Sequence, residues 1–402
     1  MNVIRPTGTH NAAPDPLRTL LHQLESVQPG EQAAIDAVSR FLAFGRDHPD
    51  EATTFYAMGF LAAQRIAKSA GDMLLVKEIT RACLEAVNRR SPKLKADVIL
   101  EARILICGEA WHLQRSHRLL EAMNATEQGL QLARRVGIRI IEALGMKCMG
   151  RLERLMAETQ VHGHDSEARL ASSISWLQDG QEIFRAIDAP DELGDCLSLE
   201  ARTWLVKYRN TNNEEFLANA FQRVNYAEKL ISPGSSKDYM DLLILKAELE
   251  FEAGRLADAK RLIDSVVEHL QGSPGSSRSE ILARALRLRG MMTENRKNRA
   301  AGINDLEGAE KIFARLEQDW AIVECRWRKV MLDLSLITEL RIPYEKLKEL
   351  EREAPDPEHR IRAVRRLDLD ERSRVGIVVA NRLREIDWAP VLRRVDLDER
   401  RG

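Results

Sequence analysis

The stretch that most constrains the fold is residues 240–274, where two apolar helical runs are separated by one short turn. The first run reaches Ala247 and ends at Gly254, and Arg255 and Leu256 lead into the second. The apolar residues of the second run lie three and four apart, which predicts a helix: Ala259, Leu262, Ile263, Val266, Val267 and Leu270. Because the turn is so short, the two helices must lie antiparallel.

Three small residues indicate how the two helices meet. Ala247 and Ala259, one in each helix, let the backbones approach closely, and Gly254 suits the left-handed conformation that ends a helix. The hairpin resembles one unit of a tetratricopeptide-repeat (TPR) protein, with these residues at the small and turn positions of that pattern. Lys246 departs from the pattern, which has a large apolar residue there. One hairpin cannot bury both faces of its helices, so the resemblance implies that further hairpins stack on it.

Internal copies give the spacing of these further hairpins. The segment FRAIDAPDELGDC at 184–196 returns in outline as FARLEQDWAIVEC at 313–325, which is 129 residues later, or three units of 43. The loop SPGSS occurs at 232–236 and 273–277, and a weak copy, LARRVG at 132–137, is offset from the first segment by 51 residues. This period exceeds the ~34 residues of the standard TPR unit. It resembles the degenerate, long-period TPR-like arrays that follow nucleotide-binding switches in bacterial STAND-type regulators.

The rest of the sequence to about residue 340 also predicts helices. No stretch shows the period-two alternation of β-branched residues that marks a half-buried strand. Charged residues make up 31% of the 402 residues and aromatic residues 5%, a balance that suits long helices packed through Leu, Ala, Ile and Val. We therefore expect an all-α, right-handed superhelical solenoid of about seven TPR-like hairpins over residues 17–340, preceded by a disordered tail at 1–16.

The composition changes after residue 340, where arginine becomes dense. The octet RRLDLDER at 365–372 returns 28 residues later as RRVDLDER at 393–400. Two interpretations of residues 341–402 are open: a helical cap over the last apolar face of the solenoid, or a docking segment whose charges pair with another chain. The candidate docking residues are Arg365, Arg366, Asp368, Asp370, Arg393, Arg394, Asp396 and Asp398.

A second candidate partner-binding surface lies where aromatic residues recur at helical spacings. Trp204 with Tyr208 forms one stripe, and Trp320 with Trp327 forms the other. Basic residues flank both stripes: Arg202, Lys207, Arg209, Arg326, Arg328 and Lys329. Such stripes are usually core seams, whereas a basic groove with embedded aromatics would accept an acidic peptide or single-stranded nucleic acid. The candidate residues of this surface are Trp204, Tyr208, Arg209, Trp327 and Arg328.

The sequence carries no pattern that predicts catalysis. His162, His164 and Asp165 are of metal-ligand type, but no matching ligands appear elsewhere, and the small residues beside them fit a loop between helices. Cys107 lies five residues from His112, and five residues turn an α-helix by ~500°, so thiol and imidazole point apart. The phosphate-binding pattern G-x-x-x-x-G-K-[ST] does not occur. We expect no catalytic residue, cofactor or metal, and we expect a partner chain to supply any NTPase or effector activity.

The sequence also predicts where the protein works. Its five cysteines are scattered singly, which argues against a disulfide framework and favours the reducing cytosol. The N-terminus has no apolar run of signal-peptide type, and no stretch approaches the ~18 apolar residues of a membrane span. A net charge of −1 gives no overall attraction to nucleic acid or to an acidic membrane. We expect a cytoplasmic protein that does not bind membranes.

These features favour non-catalytic protein recognition. We expect a scaffold, adaptor or sensor in a bacterial multi-protein system, with another protein or peptide bound in the concave groove of the solenoid. Three alternatives are open. A peptide-responsive transcription regulator would need a helix-turn-helix domain, which residues 17–70 do not show. A nucleic-acid adaptor would use the arginines of residues 358–400, and an enzyme would use a cryptic site at His162 and His164.

Overall fold

The structure of the chain is a computed structural model, and all of its regular elements are helices, which confirms the predicted all-α class for the part it describes. That part is residues 16–26, 32–49, 51–70, 72–89, 93, 95–115, 118–159, 164–233, 236–271, 280–293, 299–316, 318, 321–322, 324–326, 328–329 and 332. The helices are α1 (Pro16–Ser26), α2 (Gln32–Asp47), α3 (Ala52–Ala70), α4 (Met73–Asn88), α5 (Lys95–Arg103), α6 (Ala110–Arg115), α7 (Leu119–Val136), α8 (Arg139–Thr159), α9 (His164–Ala186), α10 (Pro190–Thr211), α11 (Glu214–Leu230), α12 (Ser236–Glu252), α13 (Leu256–Gln271), α14 (Glu280–Met291) and α15 (Arg299–Arg315). The predicted tail at 1–16, apart from Pro16, and the predicted C-terminal segment at 341–402 lie outside the described residues.

The helices pack in neighbouring pairs. A π-helical segment, Ile104–Glu109, joins α5 to α6, so that the three form one rod. The pairs are α1 with α2, α3 with α4, the rod with α7, α8 with α9, α10 with α11, α12 with α13, and α14 with α15. The first helix of a pair also packs against the first helix of the next, as α8 does with α10, α10 with α12, and α12 with α14. The first helices therefore form a continuous row.

The α12–α13 pair has the interior that its sequence predicts. Ala247 and Ala259 are fully buried in one apolar cluster that both helices share. Gly254 ends α12 in a left-handed backbone conformation with a φ of 75°. Lys246, which departs from the TPR pattern, reaches back to α11, where its Nζ lies 2.8 Å from Oε2 of Glu228. An ion pair between two hairpins thus lies where the pattern has an apolar contact.

The copied segments end their helices with the same hydrogen bond. In each, a backbone N–H donates to the carbonyl of the residue five positions before it, at N···O distances of 3.0–3.1 Å. The three bonds run from Ala189 to Phe184, from Gln318 to Phe313, and from Ile138 to Ala133. This closure belongs to the Schellman motif, which satisfies the last carbonyls of a helix. The left-handed residue is Gly137 in one copy and Asp188 in another, so the sequence copies mark equivalent turns.

The sequence from Ser91 to about Gln114 predicts one continuous α-helix, and the first member of the third pair departs from that prediction. From Ile104 to Glu109 the rod is π-helical, with a wider turn. Widening the turn leaves its carbonyls less well paired with the helix's own N–H groups. The Nζ of Lys68 on α3 donates to the carbonyl of Cys107 at 2.8 Å and supplies one of the donors. Because Lys68 lies 39 residues away, the periodicity of the helix itself carries no sign of this contact.

Helix α9 begins earlier than predicted. The polar stretch at 162–166 predicts a loop with a helix from Glu167, whereas the helix starts at His164. Carboxylates in the first turn, from Asp165 and Glu167, stabilise the positive end of the helix dipole. The hydroxyl of Ser166 donates to the carbonyl of Ala157 on α8 at 3.2 Å, which ties the start of α9 to its partner. The apolar periodicity missed this turn because its residues are polar.

The turn between α14 and α15 is also displaced from its prediction. The sequence predicts helices at about 279–297 and 303–317, whereas α14 ends at Met291 and α15 begins at Arg299. A β-carbon on Gly302 would come within 2.8 Å of Thr293, so glycine lets the end of the turn pack closely on α15.

Two kinds of core fill this row of pairs. The core of α2–α4 is aromatic, with Phe41, Phe55, Tyr56 and Phe60 buried together and the ring centroids of Phe41 and Phe55 4.8 Å apart. From α8 onward the clusters consist mainly of Leu, Ala, Ile and Val. The charged residues of the first helices lie beside this second kind of core.

Candidate functional site

The row of first helices carries a band of charged side chains from α8 to α14. Residues three, four or seven apart lie on one side of an α-helix, so each helix presents its charges in a line. The members are Lys147, Arg151, Arg154 and Glu158 on α8, Glu192, Asp195, Arg202 and Arg209 on α10, Asp241, Glu248 and Glu252 on α12, and Glu280, Arg284 and Arg287 on α14. We call this set the first-helix face.

Lys147 joins α8 to α10 across the first-helix face. Its Nζ lies 2.6 Å from Oε2 of Glu192 and 2.8 Å from Oδ2 of Asp195. Burial acts to lower the pKa of Lys147, but Asp195 and Glu192 outweigh it and the pKa lies above its ordinary value. Burial acts to raise the pKa of Asp195, but Lys147 and Arg151 outweigh it and the pKa is lowered. Both groups are therefore charged at neutral pH.

Arginines of α10 join it to α12. Arg202, whose side chain is only 13% exposed, places Nη1 3.2 Å from Oε2 of Glu248. Arg209 pairs with Glu252, with Nε 2.7 Å from Oε1, and lies 3.7 Å from the other oxygen of Glu248. Burial acts to raise the pKa of Glu248, but Arg209, Arg202 and Arg284 outweigh it, so the pKa is lowered. Glu248 is thus a carboxylate held between two arginines of the neighbouring helix.

Asp241 joins α10 to α14 through α12. Nη2 of Arg202 lies 3.5 Å from its Oδ1, and Nη1 of Arg284 hydrogen-bonds to the same oxygen. Two guanidinium groups therefore share one carboxylate oxygen. Burial, and then the positive charge of Arg284, lower the pKa of Arg202 to about 10. The lowered pKa reflects first the burial of Arg202 and then the nearness of Arg284 on the first-helix face.

Arg115 of α6 contacts α14, a first helix that lies much later in the chain. Nη1 of Arg115 lies 2.6 Å from Oε2 of Glu280 at the start of α14, 165 residues later in the chain, and Nη2 donates to the carbonyl of Leu316 at 3.3 Å. The guanidinium also lies over the ring of Trp111, 4.6 Å from its centroid, and Nζ of Lys68 lies 4.1 Å from the same centroid. We call the contacts of Arg115 with Glu280 and Leu316 the closure.

Trp204, a predicted partner-binding residue, lies between α10 and α11. Its ring packs on Phe216, with centroids 5.5 Å apart, and its indole N–H donates to Oε1 of Glu200 at 3.2 Å. Glu200 is completely buried and also receives hydrogen bonds from the amides of Gln178 and Gln181, while Nε of Arg223 lies 2.9 Å from it. Trp204 is therefore one of the donors to a buried carboxylate that ties α9, α10 and α11 together.

The other predicted partner-binding residues are dispersed. Tyr208 ends the Trp204 stripe and is partly buried, and burial and the carboxylates of Glu214 and Glu252 raise its pKa. Arg209 belongs to the first-helix face, and Arg328 pairs with Glu324 one turn before it at 2.9 Å. Trp320, Trp327 and all the RRxDLDER residues lie outside the described residues. The structure thus brings Arg209 together with the other charges of the first-helix face and leaves Trp204 in a core seam.

The residues considered for catalysis show no reactive arrangement in the part of the chain that the structure describes. That part contains no group of three or more His, Cys, Asp or Glu side chains placed to hold a metal ion. His162 lies outside it, and His164 is the first residue of α9. Burial raises the pKa of the Cys107 thiol to about 11, which keeps it from ionising at neutral pH.

The comparisons with protein families and curated sequences give no relative from which a function could be inferred. Neither the protein-family models nor the curated protein sequences give a match to this chain. Among the helices that the structure describes, none has the length and apolar character needed to cross a membrane.

Sequence reasoning missed the first-helix face and the Glu200 cluster. A signal for the face is present, since Asp195, Arg202 and Arg209 recur every seven residues along α10. Charged residues at this spacing lie on one side of a helix and indicate a polar face. The aromatic stripe at Trp204 drew attention to the opposite side of the same helix. Glu200 gives no signal of this kind, because its partners come from three helices.

Proposed function

We propose that this protein is a non-catalytic recognition module that binds a segment of another protein on its first-helix face. In this proposal the helix pairs form a right-handed, TPR-like superhelix, and the first helices line its concave side. The protein then serves as a scaffold, adaptor or sensor in a bacterial multi-protein system. The observation that carries the proposal is the first-helix face itself, a continuous, partly buried band of charge over four successive first helices.

Stability alone is a poor explanation for such a band. Ion pairs that are partly removed from water return little net stability, because desolvation offsets their attraction. Apolar side chains of the same size would pack the row of first helices at least as well. Charged groups at an interface instead fix which partner binds and in which register. The first-helix face has the charge pattern of a specificity surface.

The partner completes the proposed activity. The partner, or a chain bound with it, supplies any NTPase or effector activity, and the RRxDLDER segment docks the same assembly from the C-terminal side. A nucleic-acid adaptor is the alternative, in which the arginines of residues 358–400 bind phosphates and affinity falls steeply with salt.

Site-specific photo-crosslinking in the native host tests the proposal. A benzophenone amino acid replaces Arg151 on the first-helix face in the full chain, and a matched variant carries it at Arg261, an exposed residue of α13 whose side chain is 79% accessible. We expect the Arg151 variant to capture a defined protein that the Arg261 variant does not. Equal crosslinking at both positions, or capture of nucleic acid at Arg151, contradicts the proposal. A truncation at residue 342, run in parallel, shows whether the same protein still binds without the C-terminal segment.

A further inference from the structure

We propose that the first-helix face contains a carboxylate-binding subsite at Arg154, Arg202, Arg284 and Arg287, and that its ligand is an acidic stretch of the partner's chain. We call these four residues the arginine site. The proposal rests on the proposed function and adds the chemistry of the bound segment. Four arginines from three first helices converge here, around the carboxylates of Asp241 and Glu248 on α12.

Two of these arginines each have a side-chain N–H group that donates no hydrogen bond. The Nε groups of Arg154 and Arg287 are both buried and donate to no acceptor. Arg154 uses Nη1 to pair with Glu158, whereas Arg287 makes no ion pair with any other residue that the structure describes. Buried donors without an acceptor are rare in folded proteins, because each costs the hydration it has lost. A carboxylate bound at either group supplies the missing acceptor.

The local charge balance also favours an anion. Among the described side chains of the arginine site and of the ion pairs around it, the positive ones outnumber the negative ones by one. The arginines are Arg154, Arg202, Arg209, Arg284 and Arg287, and the carboxylates are Glu158, Asp241, Glu248 and Glu252. Glu280 does not correct the excess, because it is paired with Arg115.

The contacts within the arginine site locate the excess charge. Arg202 and Arg284 share a single oxygen of Asp241. Because Arg202 also pairs with Glu248, a carboxylate brought by a ligand gives Arg284 a partner of its own in the bidentate geometry that arginine prefers. Arg287 lies close enough to help hold the pKa of Glu248 low, so its charge acts on the same carboxylate cluster. The site is thus built to take one or two further carboxylate groups.

An acidic peptide fits this surface better than a nucleic acid. Binding of single-stranded nucleic acid relies on aromatic faces that stack with bases. The ring of Trp111 already lies against Lys68 and Arg115, and the ring of Trp204 packs on Phe216. Carboxylates of Glu158 and Glu252 flank the site and repel a backbone with a phosphate at every step. A peptide can place acidic side chains at the arginines and neutral or basic ones beside the carboxylates.

Fluorescence anisotropy with the full chain tests the arginine site. The probe is a fluorescein-labelled peptide of alternating Asp and Glu, and its control is the same peptide with Asn and Gln. We expect the acidic probe to bind and the amide probe not to. Arg287→Gln should weaken binding by about tenfold or more, the usual effect of losing a charge-assisted hydrogen bond. Arg261→Gln, which removes the same charge from α13, should leave the affinity unchanged.

Three results would overturn the arginine site. The first is equal weakening by Arg287→Gln and Arg261→Gln at unchanged melting temperatures, which indicates only general charge attraction. The second is equal binding of the acidic and amide probes, or binding of neither. The third is an oligonucleotide of equal charge that displaces the acidic probe and depends more strongly on Arg287. If a protein is still captured at Arg151, these results remove the ligand chemistry and leave the proposed function in place.

Discussion

The aromatic core of α2–α4 and the first-helix face of α8–α14 solve the problem of packing neighbouring helices in opposite ways. In the first, Phe41, Phe55 and Phe60 remove apolar rings from water. In the second, side chains such as Lys147 and Arg202 link one helix to the next through ion pairs. Burial of rings is favourable in many arrangements, whereas an ion pair needs its partner at a set distance.

We expect this difference to separate stability from the proposed binding specificity along the chain. Burial of an aromatic ring removes a large apolar area from water and tolerates small shifts in packing. The charged band contributes less free energy but fixes the relative position of four helices. We therefore expect the N-terminal pairs to determine how stable the protein is, and the first-helix face to determine what it binds.

The largest effect should come from the aromatic core. Phe41→Ala removes a fully buried ring that lies 4.8 Å from Phe55 and 5.1 Å from Tyr56, and should lower the free energy of unfolding by about 3–5 kcal/mol. Urea unfolding followed by circular dichroism measures the loss. Leu120→Ala, at a residue that is 63% exposed on α7, is the control and should change stability by less than about 1 kcal/mol. If Phe41→Ala lowers the free energy of unfolding by less than about 1 kcal/mol, the aromatic core does not determine stability as expected.

The buried carboxylate of Glu200 should come next. Glu200→Gln leaves Arg223 without its ion partner and sets an amide against three N–H donors, so we expect a loss of about 3 kcal/mol. The same urea experiment detects it, and quenching of Trp204 fluorescence should change because its indole has lost its acceptor. Glu182→Gln, an exposed residue of α9, is the matched control. A change at Glu200 no larger than at Glu182 would show that the cluster is not a structural centre.

Acid should weaken the first-helix face and spare the aromatic core. The pKa values of Asp195 and Glu248 lie below their ordinary values of 3.8 and 4.5, so the unfolded chain binds protons at a higher pH than the folded chain does. The stability they contribute is therefore present above the ordinary values and is lost as pH falls through the lowered ones. Thermal melting over this range should show a smaller loss on acidification in the double variant Asp195→Asn, Glu248→Gln than in the wild type. Parallel curves would assign acid sensitivity to other groups.

The smallest effect should come from the residue that breaks the repeat pattern. Lys246 and Glu228 are both partly exposed, so their ion pair contributes little. Lys246→Met restores the apolar residue of the TPR pattern and should change the free energy of unfolding by no more than about 1 kcal/mol, in either direction. Differential scanning calorimetry on both proteins measures it. A loss of several kcal/mol would mean that the ion pair holds α11 and α12 together.

Much of the fold was predictable because it follows from local signals. Ala247, Gly254 and Ala259 are confirmed in the places that the hairpin pattern gives them, and the copied segments end in the same hydrogen bond. The π-helical segment was not predictable, because Lys68 reaches its carbonyl from another pair. The partners of Glu200 likewise come from three helices. Periodicity reports which side of a helix is apolar, but it does not report which charged residues of distant helices meet.

The two sides of the closure are synthesised at different times. Arg115 leaves the ribosome 165 residues before Glu280, which at about 5–20 residues per second is a delay of roughly 8–33 s. During that interval α8, α10 and α12 can already fold beside Arg115, while the side of the row that faces the future α14 is open. A partner that meets the nascent chain would reach the first-helix face without displacing any closure contact. If the proposed partner binds during translation, it would therefore meet the first-helix face before the closure forms.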